Sequence, residues 1–156
     1  MNVIDETTEK NLKTVTIITW AMLVLAPIAY LVVGWLMRDR AAVQAGGVQA
    51  GKDVLVYILF VLAMVQPAMA FVIARFHISQ FKTNPQSGTN PVNLFTTLSI
   101  IKMAMVEVIY IYGLVCVFLT AEFQNMLYFY PVGLVWSVVH WPTRARYLKL
   151  EEELTK

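Results

Sequence analysis

From Val15 to Met37 the chain carries no charged residue, and the same holds from Val54 to Ala74 and from Phe123 to Trp141. No other feature restricts the fold as strongly. Hydrocarbon offers no water to the backbone, so a run of about 20 apolar residues crosses a bilayer as a helix that satisfies its own N–H and C=O groups. At 1.5 Å per residue, Val15–Met37 reaches about 35 Å, enough to cross with some tilt. Leu98–Ala121 is a further apolar run, and it alone carries charges, Lys102 and Glu107. The expected fold class is therefore all-α, an integral membrane four-helix bundle. Its spans are placed at about 15–37, 54–74, 98–121 and 123–141, in one transmembrane domain covering 1–156 with a short charged C-terminal tail.

Composition agrees. Of 156 residues, 58% are hydrophobic and 14% charged, with a mean hydropathy of +0.63; a soluble domain has about 25% charged residues. Trp20 and Trp35 lie near the two ends of the first span, where amphipathic rings favour the headgroup layer. Pro27 and Pro67 each remove a backbone donor and predict a bend, and Pro131 with Gly133 predicts one in the fourth span. Arg38–Asp53 reads as an exposed loop. Its "VQAGGVQAG" repeats only twice, and Gly46–Gly47 lacks the Lys and Ser/Thr of a phosphate-binding loop. Arg75–Pro91, with two Asn-Pro pairs and a Ser-Gly, reads as a turn region. In the tail, Arg146, Lys149 and Leu150 are spaced to lie along the membrane surface.

Basic residues set the orientation. Lys10, Lys13, Arg75, Lys82, Lys102, Arg144, Arg146, Lys149 and Lys156 fall on one side, with Lys102 snorkelling to it. Arg38, Arg40 and Lys52 fall on the other. Nine against three predicts both termini on the cytoplasmic side. The first apolar run is too long for a signal-peptide core and no small-residue cleavage site follows it, so it is expected to be a retained span.

Several function classes are disfavoured. A net charge of +2 is too small to suggest nucleic acid. Cys116, the one cysteine, lies in an apolar run and reads as a packed thiol. His77 and His140 are near a loop or a membrane face and lack ligand spacing, so no metal is expected. No Ser-His-Asp set or phosphate loop is present, so neither an enzyme nor a cofactor is expected. The partners expected are the lipid bilayer and a second copy of the chain or a larger membrane complex.

Glu107 is the residue to explain, because an ionisable group at depth is costly unless paired or used. It lies about 14 Å into its span at 1.5 Å per residue. Hydrocarbon favours the neutral form of any carboxyl. Five residues separate Glu107 from Lys102, which turns the two about 140° apart on one helix. Met103, Tyr110 and Ile111 share the Glu107 face, and the Tyr110 hydroxyl is a candidate donor to it. Gln66, beside Pro67, is either an interhelical hydrogen-bonding group or a polar residue lining the space opposite Glu107.

"EVIYIYGLVCVFL", Glu107–Leu119, resembles the carboxylate helix of the ATP synthase proteolipid c subunit. There an acid is followed by an aliphatic residue, Tyr, Gly, Leu and Val, matched here by Glu107, Ile111, Tyr112, Gly113, Leu114 and Val115. The resemblance implies that Glu107 carries a proton or sodium ion, with Tyr112 and Gly113 as motif positions; together with Tyr110 and Gln66, read from the residues above, these make the ion-carrying candidate set. The second span contains no glycine, unlike the family's first helix, so a tight rotor ring is not expected. The chain is also similar to small bacterial four-helix membrane proteins of unassigned function that share this motif and an exit like "WPTRAR". That likeness implies the bacterial cytoplasmic membrane. Two functions remain open from the residues: an accessory or structural subunit packing against partner helices, or a c-like component exchanging protons or sodium.

Overall fold

The computed structural model describes residues 6–45, 52–83 and 90–155, and among them every element is a helix. The helices are α1 (Glu6–Ala45), α2 (Lys52–Thr83), α3 (Pro91–Thr120), α4 (Phe123–Leu127), α5 (Phe129–His140) and α6 (Arg144–Thr155). α1, α2 and α3 are long and apolar enough to cross a membrane.

These three helices are longer than the spans expected from hydropathy. α1 has 40 residues, α2 has 32 and α3 has 30, or about 60, 48 and 45 Å at 1.5 Å per residue. α1 continues from Met37 to Ala45 and α2 starts at Lys52, so most of the expected loop at 38–53 is helical. The expected turn at 75–91 is likewise helical as far as Thr83 and again from Pro91. The glycine pair Gly46–Gly47, most of the short repeat, and the first Asn-Pro pair with Ser-Gly lie outside the described residues.

α3 is the hub and touches every other helix. Its start is well specified. Asn90 caps it by accepting from the Val92 N–H at 3.0 Å, and Pro91 occupies the first turn, where a missing donor costs nothing. From Phe95, Ser99, Met103, Val106, Tyr110, Gly113, Val117 and Thr120, buried positions recur every three or four residues, one helical face. The helix ends at Ala121, whose φ of 59° puts a non-glycine residue in the left-handed region.

The fourth apolar run is not one helix. It breaks at Tyr128 into the five-residue α4 and the twelve-residue α5. Pro131 accounts for the position of the break: it has no N–H to give to the Leu127 carbonyl, so the ladder of α4 cannot continue through it. By contrast, α1 and α2 continue through Pro27 and Pro67.

The buried residues form two separate cores. Ala63, Ile109, Cys116, Phe129 and Val132 form one among α2, α3 and α5. Ala74, Val92, Leu94, Phe95, Leu98, Tyr147 and Leu150 form the other, with Leu12, Ile78 and Phe81 packed on it. The second core joins the N-terminal part of α1, the end of α2, the start of α3 and α6 into a head at one end of the long helices. Here Leu150, expected on the surface, is buried, as is Tyr147, whose ring meets Phe95 edge-on at 5.5 Å. The outward faces of α1 and α2 remain apolar, with Leu25, Val32, Leu36, Tyr57, Val61 and Val72 all exposed. A surface so apolar is the expected complement of lipid or of other membrane helices.

Candidate functional site

Glu107 lies on the face of α3 that meets α1, and its partner is Tyr30. The Tyr30 hydroxyl donates to Glu107 Oε1 at 2.7 Å. The expected donor, Tyr110, points elsewhere. Its ring lies 5.0 Å from that of Tyr130, and it packs so tightly on Gly133 that a Cβ there would stand 2.5 Å from Tyr110 Cζ. The Tyr110 side chain is buried, and its hydroxyl lies beside Ser137 without a well-formed hydrogen bond. Gly133 is thus required for close approach, since any larger residue would overlap the phenol ring.

Gln66 does not face Glu107 either. Its amide oxygen accepts from the Tyr112 hydroxyl at 2.5 Å and its nitrogen donates to Met105 Sδ at 3.6 Å, which ties α2 to α3. Gly113 lies on a third face, where a Cβ would stand 3.1–3.3 Å from Met126 and Phe129. The four candidate residues on α3 therefore divide among three of its faces: Glu107 toward α1, Tyr112 toward Gln66 on α2, and Tyr110 with Gly113 toward α4 and α5. Lys102 forms no ion pair with Glu107, as their angular separation requires, and the described ion pairs are Lys13–Glu9 and Arg38–Asp39.

Two further bonds involve the transmembrane prolines. Tyr130 Oη donates to the Pro27 carbonyl at 2.6 Å, and His140 Nε2 lies 3.2 Å from the Pro67 carbonyl. Each joins α5 to the helix that carries the proline. His140, expected near a membrane face, is 2% exposed. It is stacked on Trp136 at 5.5 Å and tilted against Phe71 at 4.9 Å. Ser99, Thr120 and Ser137 turn their hydroxyls back to carbonyls four residues earlier, a way of satisfying a hydroxyl without a second helix.

Tyr30, Tyr130 and the His140–Pro67 pair were not among the expected site residues. One signal for the tyrosines was present. A phenol in the middle of an apolar span has a hydroxyl that must find a partner once it is out of water. Which helix supplies that partner depends on packing between segments 77 and 103 residues apart, and no local pattern encodes it.

Chemically, the set is a series of helix-to-helix fastenings. Glu107 is half-buried and only one of its oxygens is engaged. Gln66, Tyr112, Tyr130 and His140 are engaged separately, and among the described residues no continuous line of hydrogen bonds leads from Glu107 to either end of α3. No protein-family model, curated protein or solved structure matches this chain.

Proposed function

We propose that the protein is a four-span integral membrane protein of the bacterial cytoplasmic membrane, with both termini cytoplasmic. In this reading α4 and α5 together make the fourth crossing. It acts without enzymatic activity as an accessory or structural subunit, and the apolar faces of α1 and α2 meet lipid and partner helices. One observation carries this reading: Tyr30–Glu107, Tyr112–Gln66, Tyr130–Pro27 and His140–Pro67 each spend a deep polar group on joining two helices. Polar side chains used in this way hold membrane helices in register.

A second reading keeps Glu107 as a proton or sodium carrier in a c-like component. It is favoured by the partial exposure of Glu107 and by its free second oxygen, which leave the carboxyl accessible to exchange. The two readings separate on one experiment. Purified protein in mild detergent is treated with a hydrophobic carbodiimide, with and without sodium, and Glu107 is examined by peptide mass spectrometry. The structural reading expects little modification and no effect of sodium, and Glu107→Gln should leave cellular function intact because the amide oxygen still accepts from Tyr30. Sodium- or proton-protected labelling, with loss of function in Glu107→Gln at normal protein level, would establish the carrier instead. The same preparation gives the oligomeric state, and a large closed ring would also favour the carrier.

A further inference from the structure

Below the apolar core, where α3, α6 and the α5–α6 joint meet, lies a pocket of about 180 Å³. Its polar lining is unbalanced. Lys102, Arg146 and Lys149 face it together with His140 and Ser99, and the one carboxylate in the lining is Glu153. None of the three cations forms an ion pair with a described residue. Lys102 is half-buried, and Arg146 stands near enough to repel it. Arg146 is also held in place, because its Nη1 donates to the Trp141 carbonyl at 2.8 Å.

Like charges brought together around a cavity, one of them half out of water, raise the energy of the fold unless an anion joins them. Glu153 supplies one negative charge against these three cations and forms no ion pair with any of them, and Ser99, a neutral hydroxyl, is bonded to the Phe95 carbonyl. The level of the pocket identifies where the anion comes from. Trp141, between the lining residues His140 and Pro142 in the chain and bonded through its carbonyl to Arg146, meets Trp20 edge-on at 5.4 Å, and tryptophans favour the headgroup layer. Lys102 is five residues, or about 7.5 Å, before Glu107 on α3, at the edge of the apolar segment. Guanidinium and ammonium groups converging at this level suit a phosphate, with the guanidinium able to bind two oxygens at once.

We propose that this pocket binds the phosphate of an anionic phospholipid headgroup in the leaflet facing the head, with Arg146 and Lys102 on the phosphate oxygens and Lys149 at the rim. The proposal rests on the membrane reading above. Basic pockets beside membrane helices on the cytoplasmic side are the recognised setting for such headgroups, and the pocket is roomy enough for a phosphodiester with part of its glycerol.

The test uses the full chain in nanodiscs of phosphatidylcholine alone or with phosphatidylglycerol, and counts retained lipid by native mass spectrometry after release into detergent. Phosphatidylglycerol should be retained in preference to phosphatidylcholine. Arg146→Gln and Lys149→Gln, both at exposed positions, should each reduce that preference about fivefold, and Lys102→Gln at least as much. Arg38→Gln, at the far end of α1 beside Trp35, should leave it unchanged. Equal retention of the two lipids, or a preference untouched in the Arg146→Gln, Lys149→Gln double variant, would overturn the proposal. So would displacement of the lipid by millimolar inorganic phosphate with equal stabilisation by phosphate alone, which would assign the pocket to a soluble phosphate. Alkaline carbonate extraction of cell membranes separates the two levels: if the chain is extracted, the membrane reading fails; if it stays and shows no lipid preference, the pocket alone fails.

Discussion

Two tyrosines of this chain should respond in opposite ways to loss of one oxygen. The half-buried Tyr30 hydroxyl is bonded to a carboxyl oxygen across a helix interface, and that of Tyr110 is buried beside Ser137 without a well-formed hydrogen bond. A hydrogen bond to a charged or acidic group contributes more than a neutral one, and an unsatisfied buried hydroxyl costs energy. Tyr30→Phe should therefore destabilise by about 1–2 kcal/mol, whereas Tyr110→Phe should be neutral or stabilising by up to about 1 kcal/mol. Thermal unfolding in detergent measures both, and equal losses would contradict the assignment of partners. Gly133→Ala should cost about 1–3 kcal/mol through overpacking. Tyr110→Phe should not rescue it, because the nearest atom to the added methyl is a ring carbon rather than the hydroxyl.

Among elements, the end of α3 carries a local cost that can be removed. Ala121 holds a left-handed conformation that disfavours any residue with a Cβ. Its own N–H nevertheless bonds to the Val117 carbonyl at 2.9 Å, and Thr120 Oγ1 accepts from both the Glu122 N–H and Asn125 Nδ2. Ala121→Gly should raise stability by about 0.5–1 kcal/mol with the α3–α4 turn unchanged, readable as a shift in the same unfolding midpoint. A fall in stability would mean that the methyl packs more than the strain costs. The long helices were legible from hydropathy because lipid imposes a composition as well as a pattern, but their ends were not. Past Ala74, α2 leaves the apolar layer and its composition becomes ordinary. Its continuation is written only in the spacing of Ala74, Ile78 and Phe81, which all contact the head core. Nearby turn signals outweighed that spacing, although they belong to a shorter stretch between α2 and α3. The break at Tyr128 was half legible, since Pro131 foretold a disturbance without saying that it would divide the helix. Glu107 stood out as a lone acid, but the proteolipid-like spacing could not reveal that its neighbours in sequence face three different helices.

At the scale of the whole molecule, the proposed topology, argued from the nine-to-three division of basic residues, puts the head core on the cytoplasmic side. Protease added outside cells should cut a site inserted within 46–51 and spare tags at either terminus; cleavage of a terminal tag would reverse the orientation. The head depends on α6 for closure. Tyr147, 3% exposed, fills the space beside Phe95, so Tyr147→Ala should cost about 3–5 kcal/mol and expose the head to limited proteolysis, while the protein stays in the membrane. A loss of membrane insertion would show that the two cores are not independent. The order of synthesis gives this arrangement a further meaning. Leu12 and the early turns of α1 are made before α2 and α3, yet the surface they pack on is completed only by α6, which follows all three. Domains form as their sequence becomes available, so the long helices can assemble while translation continues, but the head must wait for α6. A copy cut short before α6 would keep its three long helices and present Phe95 and Leu98 uncovered, a mark by which a protease could tell it from a copy that carries α6.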